Sequence, residues 1–90
     1  MYLHLGQSVV VPTKDVIGIF DLENATLEKE TRAFLSRATK EGKVINVSPE
    51  MPKSFVVCLD EKGNEKVYIA QISPKTLKKR SGFVSGLIKE

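Results

Sequence analysis

The run Ser54-Phe55-Val56-Val57-Cys58-Leu59 constrains the fold more than any other stretch. Five consecutive apolar side chains leave it no polar face. Successive side chains of a strand point to opposite sides, so a strand built from this run needs cover on both. Its β-branched and aromatic content favours a strand over a short helix. The run is expected to be the central strand of a small sheet, with the rest of the chain arranged around it.

Three shorter runs precede it. Tyr2–Leu5 alternates and reads as a strand, followed by a turn at Gly6-Gln7. Ser8-Val9-Val10-Val11 reads as a second strand, stopped by Pro12. Val16-Ile17-Gly18-Ile19-Phe20 reads as a third, in which Gly18 suggests a bulge or a close backbone approach. The period then changes. Leu27, Thr31, Phe34, Leu35 and Ala38 recur at helical spacing. A helix is predicted from about Leu27 to Glu41, with Thr26 as N-cap, acids in the first turn, and Gly42 just past the end.

Lys43–Val47 reads as a fourth strand, and Pro49-Glu50-Met51-Pro52-Lys53 as a stiff extended loop. After the central strand, Asp60–Asn64 is a turn and Glu65–Ile72 the returning strand of a hairpin. Ser73-Pro74 is a helix start, and Lys75–Arg80 a short basic helix. The predicted class is α+β: a small, mainly antiparallel β-sheet with one long helix packed on it and a short C-terminal basic helix. The tail, with Phe83, Val84, Leu87 and Ile88, is apolar enough to dock on its own subunit or on a neighbour.

Ninety residues support one domain with a modest core, marginally stable unless subunits associate. The first residues lack a basic region and a long apolar core, so no secretory signal is expected. No apolar run reaches membrane-spanning length, and a cytoplasmic location is the default expectation. The formal net charge of +3 is unevenly placed. Residues 1–42 carry 5 Lys+Arg against 6 Asp+Glu, and residues 43–90 carry 9 against 5.

Lys75, Lys78, Lys79 and Arg80 form the densest basic cluster. It suits phosphate contacts with salt-sensitive binding, but by pattern alone a solvated helix whose cations favour its negative end is the commoner case. Lys53, between Pro52 and the central strand, is placed to be presented rigidly, and Lys14 beside Pro12 is a weaker case of the same kind. Arg32 and Arg37 on the long helix suit a subunit contact. His4 has no Ser, Cys or carboxylate at a catalytic spacing, and Cys58 in its apolar run reads as an inert core thiol. One cysteine rules out the common Cys-rich zinc sites, and no glycine loop of phosphate-cradling type is present. No catalytic residue, metal, cofactor or small-molecule substrate is therefore expected.

Several strings in fixed order carry a family resemblance. They are Met1-Tyr2-Leu3-His4-Leu5-Gly6, Lys14-Asp15-Val16-Ile17-Gly18-Ile19-Phe20-Asp21, Lys53-Ser54-Phe55-Val56-Val57, and Val67-Tyr68-Ile69 with Ile72-Ser73 and Leu77. Over about residues 1–80 the chain resembles the RemB branch of the bacterial RemA/RemB family, also called domain of unknown function 370. The resemblance implies a single domain over 1–82 with a C-terminal tail over 83–90. It implies a non-enzymatic transcriptional regulator of extracellular matrix and biofilm genes, with a fold similar to LytTR DNA-binding domains.

RemA members assemble into closed rings that bind duplex DNA. The resemblance places Lys14 and Lys53 on such a DNA face, with Lys75, Lys78, Lys79 and Arg80 in support. Where RemA proteins carry adjacent arginines in the loop before the central strand, this chain has Lys53 as the one cation, and Asp15 stands at a position that is basic there. The second reading is an oligomeric protein-interaction module of the same fold that does not bind DNA directly.

Overall fold

The computed structural model describes residues 1–25 and 27–81. The expected N-cap Thr26 and the tail 83–90 lie outside the described residues. Strands β1 (Tyr2–Gly6) and β2 (Val9–Pro12) form an antiparallel hairpin of their own. A 3-10 turn (Thr13–Asp15) leads into β3 (Val16–Asp21). Then follow the short α1 (Leu22–Ala25), α2 (Lys29–Lys40), β4 (Val44–Asn46), β5 (Ser54–Leu59), β6 (Glu65–Ala70) and α3 (Pro74–Ser81).

The second sheet has the order β3-β5-β6-β4. β5 is antiparallel to both neighbours, whereas β4 runs parallel to β6 at the far edge. The architecture is thus α+β with mixed pairing. The hairpin β1–β2 forms a separate layer rather than extending the main sheet, a split that the run of short strands did not reveal.

β5 is covered on both faces, as its composition requires. Val56 and Cys58 point into a cluster with Leu3, Leu5 and Val11 of the hairpin, Val16 and Ile19 of β3, and Leu77 of α3. Phe55 and Val57 point the other way, into a cluster with Val67 and Ala38, against which Phe34, Leu35 and Val44 pack. Burial on this scale, at roughly 1.5–3 kcal/mol per large apolar side chain, is the main force holding the layers together. Ser54, the one buried polar residue of the strand, is satisfied by donating from Oγ to the Ile72 carbonyl at 2.7 Å.

The main helix is shorter than its periodicity predicts. Glu28 occupies the N-cap position without a side-chain capping bond. Leu27, assigned to the apolar stripe by spacing, precedes the helix and is 77% exposed. The C-terminal end follows the expected pattern. Gly42 has φ +72, its N–H donates to the Thr39 carbonyl, and the Lys43 N–H donates to that of Ala38. Asp21, the last residue of β3, caps the unexpected α1 by accepting from the Glu23 and Asn24 N–H groups. The bulge suggested by Gly18 is present: Val16 pairs with Cys58 and Gly18 with Val57, leaving Ile17 between them unpaired.

Candidate nucleic-acid interface

Strand register divides the sheet into two ends. At one, β3 begins opposite Cys58 beside the Asp60–Asn64 turn. At the other, Asp21, Ser54 and Ala70 lie side by side. Lys14 belongs to the first end and Lys53 to the second. They are separated by roughly the 17 Å that the residues of β3 span at about 3.4 Å per step. Within one subunit the structure does not bring these two lysines together.

Lys14 is also not a free cation. Its Nζ donates to Glu61 Oε1 across the base of the β5–β6 turn. Glu61 raises the Lys14 pKa, first through that hydrogen bond and then by its charge, and Lys14 lowers that of Glu61 in return. The pairing joins residues 47 positions apart, so no local pattern announces it. Both side chains are largely exposed, and the pair contributes little to stability. Its effect is to cancel a positive charge where the sequence pointed to one.

The other end is different. The Lys53 N–H donates to the Ala70 carbonyl at 2.8 Å, and its carbonyl accepts from the Leu22 N–H at 3.0 Å. The loop before it is tied down at Val47, whose N–H reaches Ile69, and at Ser48, whose Oγ donates to Gln71 Oε1. Lys53 is therefore exposed on a backbone held from both sides. β6 runs on through Ile72 into α3, which starts at the same end of the sheet. Ser73 Oγ accepts from the Thr76 N–H, the cap that Ser-Pro predicts.

Leu77 fixes the rotation of α3 by being completely buried. Lys75 and Lys79, each two residues from Leu77, consequently share the outward face one turn apart and are exposed. Lys78 is half-buried and lines an open dent with Lys75, Ile19 and Asp21. Arg80 is exposed but leans inward, its Nη1 reaching the His4 carbonyl at 3.4 Å. Arg32 and Arg37 are exposed on α2. Five residues apart, they are about 140° apart around the helix axis and do not form one patch.

Three further titratable groups sit in the body of the fold. Asp60 accepts from the Asn64 and Lys62 N–H groups, and these bonds, that of Asn64 first, hold its carboxyl below the usual aspartate value. Burial pushes the Cys58 thiol up to about 11. His4 Nε2 lies 3.2 Å from the Gln7 carbonyl. Among the described residues no group of three or more His, Cys, Asp and Glu is placed to hold a metal, and no helix is long and apolar enough to cross a membrane.

One feature has no counterpart in the sequence reading. A groove of about 380 Å³ runs between β3 and α2, on the face opposite α3. Its floor is Ile17, Phe20, Phe34 and Phe55, and Glu28 and Glu30 border it. Ile17 is 56% exposed and Phe20 42%. The Phe20 ring stacks on Phe55 with centroids 5.0 Å apart. The bulge explains why the groove was missed. Residues 17 and 20 fall on opposite faces of a regular strand, and only the unpaired Ile17 brings them to the same side.

Comparison with known proteins gives a consistent answer. The model of a family described as RemA-like, extracellular matrix regulatory protein A-like, matches residues 2–81. Among curated proteins, Extracellular matrix regulatory protein B of Bacillus subtilis (strain 168) is 37% identical over 84 residues. That alignment covers 93% of this chain and 94% of the relative.

Proposed function

The chain belongs to the RemA-like family of extracellular matrix regulatory proteins, and from this premise we propose that it is a non-enzymatic transcriptional regulator that binds duplex DNA as a homo-oligomeric ring. The observation that carries the DNA part is the placement of Lys53, Lys75 and Lys79. All three are exposed, and Lys53 and the start of α3 share one end of the sheet. Each subunit then offers a few phosphate contacts. A ring repeats them on a rigid scaffold, so that weak contacts add up through high effective concentration. A closed ring requires a head-to-tail interface between unlike surfaces. Recognition rests on phosphate contact and DNA shape rather than base reading, in keeping with a LytTR-type relationship of the fold.

Lys14 is a minor contributor in this reading, because Glu61 already occupies it. The same pairing, with Asp21 beside Lys75 and Lys78 in the dent, favours the second reading, an oligomeric interaction module that leaves DNA alone. A salt series separates the two. The logarithm of the binding constant, measured by anisotropy of labelled duplex DNA, is expected to fall linearly with log salt, losing about 0.9 of slope per phosphate contact removed. Lys53→Ala and Lys75→Ala should each flatten the slope, and Lys14→Ala should leave it unchanged. Absence of binding at low salt rejects DNA contact and leaves the interaction module. Native mass spectrometry at micromolar concentration tests the ring, and a monomer rejects it.

A further inference from the structure

We propose that the groove between β3 and α2 is the acceptor half of the subunit contact, and that its occupant is the C-terminal segment 83–90 of a second copy of the chain. The inference rests on the self-assembly proposed above and names the joint. Three features of the acceptor point to an extended peptide. β3 is an edge strand, with no neighbour on its outer side among the described residues. A groove between an edge strand and a helix is the form that takes peptides by strand addition, main-chain bonds supplying affinity and side-chain sites supplying specificity. Its floor is apolar and open, with Ile17 and Phe20 exposed to an incoming chain above the half-buried Phe34 and the buried Phe55.

The donor matches in shape and charge. Phe83-Val84-Ser85-Gly86-Leu87-Ile88 supplies four apolar side chains on a short segment. Lys79 and Arg80 precede it, whereas Glu28 and Glu30 border the groove; after it, Lys89 is offset by Glu90. Opposite charges at the rim of an interface steer encounter and fix register.

Placement decides between the same subunit and another. α3 packs through Leu77 on the Val56/Cys58 face of β5, and the groove opens on the Phe55/Val57 face. The last turn of α3 lies against β1, where Arg80 meets His4. Val84, three residues beyond Ser81, reaches at most about 11 Å. To enter the groove of its own subunit the segment must cross from the Val56/Cys58 face to the Phe55/Val57 face of the sheet, which uses up its first residues. A second copy seats Phe83, Val84, Leu87 and Ile88 together.

Directed disulfide trapping in the full-length chain tests the contact. Ile17 and Leu87 are changed to Cys in separate chains, which are mixed and mildly oxidised. Cys58 does not compete, because it is buried with its thiol pKa pushed up. Ile17→Cys with Leu87→Cys should form a linked dimer several-fold faster than Val10→Cys with Leu87→Cys, Val10 being similarly exposed at 49%. Adding Glu30→Lys to the Ile17→Cys chain should slow the link.

Equal rates at positions 17 and 10 overturn the proposal, as does an intrachain bond dominating in the Ile17→Cys/Leu87→Cys double variant. An unchanged rate with Glu30→Lys overturns the charge matching. If native mass spectrometry finds an assembly but trapping is unselective, the joint is wrong and the ring stands. If it finds a monomer, both fail.

Discussion

Replacing Leu77 by Ala should separate the basic helix from the body of the protein. Leu77 is fully buried in one cluster with Leu3, Leu5 and Val56. It is the fully buried apolar residue of this eight-residue helix. A helix this short does not persist without its packing face. Truncating a buried Leu costs about 2–5 kcal/mol, from lost transfer free energy and the cavity left behind. A ninety-residue domain holds roughly 5–13 kcal/mol in total, so the change removes a large share.

Urea unfolding followed by far-UV circular dichroism measures this. Protein concentration must be held fixed, since assembly adds to apparent stability. The midpoint should fall steeply for Leu77→Ala. The outward-facing control Lys79→Ala should stay within about 0.5 kcal/mol of the parent. A loss below about 1 kcal/mol for Leu77→Ala would refute the docking of α3 through this side chain, and with it the fixed outward face of Lys75 and Lys79.

Gly18→Ala would place a Cβ 2.5 Å from Phe20 Cζ, so the Phe20 ring must move. The expected loss is about 0.5–1.5 kcal/mol from the broken stack on Phe55, read by denaturation together with the near-ultraviolet phenylalanine signal. The folded state lowers the Asp60 pKa, so the stability it contributes is present above the ordinary value of 3.8 and lost as pH falls through the folded value. The stability difference between the parent and Asp60→Asn should accordingly be constant from neutral pH to about 5 and close below 3.8 in urea titrations. With its pKa at about 11, roughly one Cys58 thiol in three thousand is ionised at pH 7.5, so alkylation should follow unfolding rather than reagent access. Finally, Glu61→Gln frees Lys14 and should steepen the salt dependence of DNA binding, whereas an unchanged slope would place Lys14 off the DNA path.

The features legible in the sequence are those whose cause is local. The two-faced burial of Phe55–Cys58 follows from the apolar run, whose last residue, Leu59, is exposed at the strand end. The bulge at Gly18, the helix end at Gly42 and the helix start at Ser73-Pro74 each follow from one residue's conformational preference. Features set by distant partners were hidden. β4 pairs parallel to β6, and no local pattern in Val44–Asn46 specifies its partner. Leu27 has the spacing of the apolar stripe, but the backbone turns helical only after Glu28, which sends it outward.

The candidate site divides along the same line. The outward face of α3 follows from Leu77 and helical spacing, so Lys75 and Lys79 were readable. The capture of Lys14 by Glu61 and the groove under Phe20 both arise from tertiary placement and could not be read from neighbours in the chain.

The position of β5 also bears on how the protein forms. Its outer partner β3 comes before it and is separated from it by α2 and β4, and both hydrophobic clusters take two side chains from β5. A nascent chain released only as far as β4 thus has no interior to close around. Once Leu59 emerges, one strand supplies the missing wall to two compartments together. Ordering of either side is thereby tied to the other, and probes placed in the two compartments are expected to melt together.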